Sequence, residues 1–465
     1  MKPLVIELID RSVALARDGE VLVSAPSAVF DGSSPDGTAA TAPGKNAWHA
    51  LRRQPRSTSS RHLSSIISDR SNVSPGARNE ALVAAELSEH LAAHPPREGE
   101  RVWIAVPVRA DAGGLGSVLG IAHGLGLAVD GFVDAAAVTV ASLGAGTGRG
   151  AIVLELGLHH AAATAVEMGG QARRRRAVVS DLGGLVELYD AWLNLVSTAM
   201  VKRTRFDPFT NADTEQQLFD ALPALTRQAA EAGSTTAAVS TGETRFEVSL
   251  SRDQFAEAAQ PIYRELVRLL HSLRPAGSEI AIVLPEAVAV LPGLREMLQQ
   301  FVGCELVATP EGFAAAATSL LDLPESKPGD PVRLLRKLPV REQPDLAARV
   351  TREVLGRSGA RAAPPSHVLF DGRAIALGAS PLVVGRSPNQ PGGVNALALP
   401  DGLAGVSRRH CTFVRNDDEL VLVDHSNYGT FVNGERVSER VRIYAGDKVR
   451  LGEPGVELSL ISIGS

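Results

Sequence analysis

The 465-residue chain contains only two cysteines, Cys304 and Cys411. Both sit in apolar, strand-like surroundings, which excludes a disulfide framework or a cysteine metal cluster and predicts two buried free thiols. Aromatic residues are scarce at 4%, so the cores must rely on small aliphatic side chains. No apolar run is long enough to span a bilayer, and the chain enters a strand directly after Lys2-Pro3 without a signal-peptide pattern. The expectation is a cytoplasmic protein with no membrane partner. Positive charge is not in excess either: 47 Lys and Arg against 52 Asp and Glu leave a formal net charge of −5, which argues against nucleic acid as a partner. What remains is the composition of a globular protein, 44% hydrophobic and 21% charged. Its length allows two or three domains at roughly 150 residues each.

The most informative stretch is residues 382–434. It holds Gly385-Arg386, then Ser407-Arg408-Arg409-His410, then Asn427-Tyr428-Gly429-Thr430 and Asn433-Gly434. Around these blocks, short β-branched runs at 382–385, 411–415, 419–424, 429–432, 440–443, 448–451 and 456–461 alternate like strands of an antiparallel sandwich. Asn433-Gly434 is a two-residue hairpin signal, since both positions tolerate positive φ. An Arg, a Ser-Arg pair and an Asn in successive loops would converge at one end of such a sandwich. A guanidinium, a hydroxyl and backbone N–H groups there match the oxygens of a phosphate.

This pattern resembles the forkhead-associated (FHA) domain, a phosphothreonine-peptide reader, over residues 367–465. The resemblance implies that Arg386 and Ser407 bind phosphate with Arg408 or Arg409 beside them, and that Asn427 offers polar contacts to the peptide. It also implies that His410 braces the loops, with Gly385, Gly429, Asn433 and Gly434 structural. The family's Thr-Asn-Gly-Thr reads Asn427-Tyr428-Gly429-Thr430 here, so Tyr428 replaces the amide that grips the peptide backbone. Loose selection of flanking residues follows. The implied partner is a phosphorylated protein, on threonine.

The rest of the chain reads as α/β. Strands are expected at 4–8, 13–16, 21–24, 102–107, 151–156, 161–168, 244–250, 279–284 and 305–308, with residues 32–45 a loop. Helices are expected at 80–94 (capped by Asn79), 115–125, 214–232 (interrupted at Pro223), 293–301 and 311–321. A capping box at Ser251 and Gln254 opens a long helix to 273. Arg173–Arg176 follow a Gly-Gly turn and read as a solvated hairpin tip. Residues 322–366 are proline-rich and read as a semi-rigid linker with a short helix at 345–355, leaving the two ends to fold independently.

The order of elements in residues 1–321 resembles the actin-like ATPase fold in its DnaK-type heat-shock chaperone form. The matching stretches are residues 26–30, 101–107, 121–125 with 134–137, Leu182-Gly183-Gly184, Phe206-Asp207-Pro208 and Leu291-Pro292-Gly293-Leu294. That fold clamps nucleotide phosphates between two β-hairpins, each needing an Asp and close-approach glycines. The first hairpin here is Glu7-Leu8-Ile9-Asp10-Arg11 where Asp-Leu-Gly-Thr-Thr is usual. The second is Glu155-Leu156-Gly157-Leu158-His159-His160 where Asp-Leu-Gly-Gly-Gly-Thr is usual. Near the adenosine, Pro285-Glu286 replaces Gly-Gly, removing an N–H and crowding the pocket. His159 and His160 are adjacent, so they face apart and share no metal ion; they read as drift in a degraded loop.

These losses imply a degenerate site at Glu7, Asp10, Glu155, Gly157, Gly183 and Gly184. No residue is assigned as catalytic or as a metal ligand. ATP is the only cofactor the resemblance suggests, bound weakly and not turned over. The fold class is therefore an α/β, two-lobed actin-like (DnaK-type) body followed by an all-β FHA sandwich. The expected function is a non-enzymatic signalling or scaffold protein that binds phosphothreonine-containing partners. The alternatives are a nucleotide-dependent DnaK-like chaperone or switch recruited by phosphorylation, and a subunit that assembles through its actin-like part.

Overall fold

The computed structural model describes residues 2–33, 39–68, 76–144, 150–274, 280–325, 330–341, 343–355, 365–388, 395–416, 419–444 and 447–461. The chain divides into two compact units: residues 1–269, 282–295 and 307–351 form one, and 270–281, 296–306 and 352–465 the other.

The first unit is built on two sheets. One has the strand order Arg333–Leu335, Val129–Asp134, Val102–Val106, Leu4–Ile9, Ser12–Arg17, Glu20–Ala25. Its first four strands run parallel and the last two close an antiparallel meander. Leu4, Ile6, Leu8, Val102, Ile104 and Val106 are buried and meet Leu63, Ile66, Val83 and Leu87 from two helices. The alternate residues Val5 and Ala105 are buried too, as expected of a sheet covered on both faces. Within this unit the second sheet is ordered Lys337–Pro339, Gln171–Ser180, Ala161–Met168, Gly150–Leu156, then residues 282–285 and 307–309. Several of the few aromatics gather at one place, where Trp48, Tyr189, Trp192, Phe219 and Phe255 make successive ring contacts at 5.0–6.3 Å.

The structure departs from the sequence reading in identifiable places. Arg173–Arg176 lie inside the strand Gln171–Ser180, where Arg174 donates to Asp134 at 2.5 Å; the turn is Gly169-Gly170. Proline does not keep residues 322–366 irregular: Arg333–Leu335 and Lys337–Pro339 add short edge strands to the two sheets, with Pro339 at a strand end. An edge strand needs only one row of donors, so proline is tolerated there. Residues 326–329, 342 and 356–364 of that segment lie outside the described residues. Pro344–Ala347 is a single helical turn and Thr351–Val354 is extended. Residues Ala39–Pro43 of the expected loop pair with Val29–Ser33.

Helix Ala77–Ala93 starts from Gly76 rather than Asn79, and buries Val83, Leu87 and Leu91. Helix Ala212–Ala232 runs straight through Pro223, because its buried face of Leu218, Phe219, Leu222 and Leu225 outweighs one lost hydrogen bond. The capping box at Ser251 and Gln254 is present, but its helix breaks at Ala259 before Gln260–Leu273 resumes.

The second unit is β-rich. One sheet is ordered Arg373–Ala376, His367–Phe370, Val456–Ile461, Lys448–Leu451, Thr430–Val432, Glu435–Arg436. The other is ordered Asn395–Ala398, Leu382–Gly385, Cys411–Asn416, Glu419–Asp424, Arg440–Arg442. Leu382, Val384, Cys411, Phe413, Leu422, Val432, Val449 and Leu458 fill the core. Asn433 and Gly434 take φ of 52° and 87° in their hairpin. Within this unit, Arg274 is fully buried between the Tyr444 ring at 5.1 Å and the Asp447 carboxylate at 3.6 Å. The unit is thus larger than residues 367–465.

Candidate functional site

Three loops meet beyond the strand ends of the second unit. The Arg386 N–H donates to Ser407 O at 3.2 Å, the Ser387 N–H to Arg408 O at 3.0 Å, and the His410 N–H to Val384 O at 2.8 Å. Gly385 permits this approach: a Cβ there would lie 2.1 Å from Arg408 O. The third loop joins through the Asn427 N–H, which donates to Ser407 Oγ at 3.2 Å. That bond uses an oxygen lone pair and leaves the hydroxyl proton to be donated.

His410, wholly buried, spans two of the loops. The Ser407 N–H donates to its Nδ1 at 3.0 Å, so the ring proton sits on Nε2, 3.2 Å from Gly429 O. Burial holds the His410 pKa below its usual value, which keeps Nδ1 available as an acceptor at neutral pH. Arg386, Ser407, Arg408 and Asn427 are thereby brought to one end of the sandwich. Arg386 and Arg408 are exposed, and neither guanidinium has an intramolecular partner among the described residues.

The family model for the FHA domain matches residues 382–452. Residues 382–452 are an FHA domain. Domains of this family bind phosphothreonine-containing partners in signalling. No curated protein matches the chain.

The FHA geometry separates residues that sequence left equivalent. Of the two arginines after Ser407, Arg409 leans back on its own domain, with Nη2 3.3 Å from His425 Nε2 and 3.5 Å from Thr412 Oγ1. Arg408 carries no such bond, so it is the better partner for Arg386. Asn427 stays exposed and Tyr428 is 58% exposed beside it. Gly429 turns at φ 85°. Asn433 lies at the hairpin end of its strand, where its side chain donates to Asp447 Oδ1 at 2.9 Å and accepts from the Lys448 N–H at 3.0 Å. Asp424 was not foreseen: it accepts from the Ser426 N–H at 3.0 Å and Thr430 Oγ1 at 2.7 Å, fixing the loop that carries Asn427. An Asp two residues before a Ser at a strand end was the available signal.

In the first unit the two hairpins that the sequence reading matched to a nucleotide site meet through charge. His160 stands between two carboxylates, with Nε2 2.8 Å from Glu155 Oε1 and Nδ1 3.3 Å from Asp10 Oδ2. Burial opposes its charge, but the two acids outweigh it and push its pKa up to about 9. Burial likewise opposes the charge of Asp10, yet bonding to His160 and Leu158 keeps its pKa below the usual range. His160 is therefore a buried clasp between Asp10 and Glu155, with its charged form favoured. His159 turns away to Ser60 Oγ at 3.0 Å.

The backbone donors of this region are also taken. The Leu158 N–H donates to Asp10 Oδ1 at 3.0 Å. The Leu185 and Val186 N–H groups, at the N-terminus of helix Leu185–Thr204, donate to Gly157 O and Leu158 O at 2.8 and 2.9 Å. Gly184 allows that contact, since a Cβ would lie 2.3 Å from Leu158 O, and Gly183 makes the preceding turn at φ 93°. Gly157 faces Asp10 and His160 rather than open space. Glu7 accepts the Ala315 N–H at 2.8 Å, and burial pushes its pKa up to about 7. The cavity lined by Glu7, Ile9, Arg11, Glu155 and Pro285 holds about 60 Å³, and its one cation among the described residues, Arg11, is already paired with Glu311. Glu286 is exposed and does not crowd it. Acids around a small cavity, with the neighbouring amides already bonded, do not fit a magnesium-bound polyphosphate. Among the described residues no helix is long and apolar enough to cross a membrane.

Proposed function

We propose that the chain is a non-enzymatic signalling or scaffold protein whose FHA domain engages a threonine-phosphorylated protein. Residues 1–321 serve as its interaction platform, an actin-like, DnaK-type body that has lost ATP turnover. The observation that carries the reading is the placement of Arg386 and Arg408, exposed and with guanidinium groups unpartnered among the described residues, around Ser407. Two cations match the nearly two negative charges of a phosphate, and the hydroxyl supplies a neutral donor. Charge-assisted hydrogen bonds contribute about 1.5–3 kcal/mol each. Arg386→Ala is therefore expected to weaken capture of phosphorylated partners roughly tenfold or more, and Ser407→Ala less. Capture from lysate by the wild-type chain should disappear after phosphatase treatment. Equal capture by the Arg386→Ala chain would overturn the reading. Tyr428→Asn restores the amide and should tighten binding.

The reading of the body is supported by the order of its elements and by the amides spent on Asp10, Gly157 and Leu158. Steady-state phosphate release with ATP and magnesium is expected at the no-enzyme background. Turnover that vanishes in a Glu155→Gln chain would contradict it.

A further inference from the structure

A second cavity in the first unit, of about 280 Å³, abuts the Arg11–Glu311 ion pair. Its walls include Trp48, Tyr189, Leu185 and Leu291, and Trp48 and Tyr189 meet edge to face with ring centroids 6.3 Å apart. A mostly apolar wall with a few convergent polar groups is the usual make-up of a small-molecule site.

The polar end carries one unmet donor and one accessible acid, Glu311, whose Oε2 takes a long bond from Ser12 Oγ at 3.4 Å. Arg11 donates through Nη1 to Glu311 Oε1, but its Nε is buried without an acceptor among the described residues. The Arg11 side chain is only 9% exposed, so bulk water does not serve that group, whereas the Glu311 side chain is 32% exposed. One end therefore lacks an acceptor and the other presents an accessible carboxylate. Net charge narrows the choice further. Burial opposes the charge on Arg11, yet Glu311, Glu7 and Glu155 outweigh it and strengthen its hold on its proton. With acids this close, a polyanion such as a nucleotide is disfavoured, while a ligand of zero net charge is not.

We propose that this cavity binds a free α-amino acid with an apolar or aromatic side chain. The ligand carboxylate accepts from Arg11, its ammonium pairs with Glu311, and its side chain lies against Trp48, Tyr189 and Leu291. This goes beyond the phosphopeptide reading and does not depend on it.

The test is calorimetric titration of the full chain with L-phenylalanine and L-leucine. A ligand of this size reaches a Kd of about 10 μM to 1 mM. The matched probes are 3-phenylpropionate, which lacks the ammonium, phenethylamine, which lacks the carboxylate, and ADP with magnesium. Each truncated probe should bind at least tenfold more weakly than phenylalanine, and ADP should not compete. Glu311→Gln, at a partly exposed position, should weaken phenylalanine about tenfold while sparing 3-phenylpropionate. Ala287→Trp, at an exposed residue on the cavity wall, should abolish binding without touching the core. The proposal is overturned if neither amino acid binds at millimolar concentration, if phenylpropionate binds as well as phenylalanine, or if Ala287→Trp leaves binding intact. Binding of ADP in their place would make this a nucleotide site instead.

Discussion

Replacing His160 with Ala should destabilise the first unit by about 3–5 kcal/mol, because it leaves buried Asp10 and half-buried Glu155 without their shared cation. Asp10 and His160 are 2% and 3% exposed in their side chains, so solvent screening gives little relief. The pH dependence provides a second signature. A histidine whose pKa rises from 6.5 to about 9 on folding stabilises the fold fully below pH 6.5 and loses that contribution as pH climbs through 9. Glu7, raised from 4.5 to about 7, acts in the same direction at lower pH, since the folded state holds its proton longer. Wild-type stability should therefore decline from mildly acid to alkaline pH. The His160→Ala chain should lose the upper part of that decline while keeping the lower. Denaturant melts across this range measure both effects. Equal midpoints for the two chains, with parallel pH profiles, would contradict the clasp.

Gly385→Ala should damage the phosphate-facing end of the FHA domain severely. The added Cβ meets backbone, 2.1 Å from Arg408 O and 3.0 Å from His410 N, and neither neighbour is the end of a flexible side chain. Relief requires the loop at 407–410 to move, and Ser407 moves with it. Overpacking of this kind costs about 1–3 kcal/mol. Phosphopeptide affinity should fall more than tenfold, because Arg386 and Ser407 no longer share a site. Gly434→Ala is the control. Its φ of 87° makes alanine strained, but no atom lies within 4 Å of the new Cβ and the site is at the other end of the strand. Some stability should be lost there and binding retained. Thermal melts and peptide titration of both variants decide the point; equal loss of binding would remove the loop argument.

The strands of the FHA sandwich were legible because alternating residues such as Leu420 and Leu422 face one core, and because Asn433-Gly434 announces its turn. Short edge strands such as Arg333–Leu335 and Lys337–Pro339 were not, since three residues carry no period and proline points the other way. Arg408 and Arg409 are equivalent as letters; only the position of His425 and Thr412 across the strand pair separates them. The bulky side chains of Ile9 and Leu158 could be read directly. The clasp between them could not, because His160 and Asp10 meet only after distant segments come together. That the adjacent His159 and His160 are committed to different partners, Ser60 and the Asp10–Glu155 pair, is likewise invisible in the sequence.

The most direct test of the phosphate-reading claim is a fluorescence-anisotropy titration of the full chain with a threonine-phosphorylated peptide library and its unphosphorylated twin. The expected result is saturable binding of the phosphorylated peptides, modest in affinity and tolerant of flanking residues, with none for the twin. Binding that ignores the phosphate, or that survives undiminished in the Arg386→Ala chain, would contradict it.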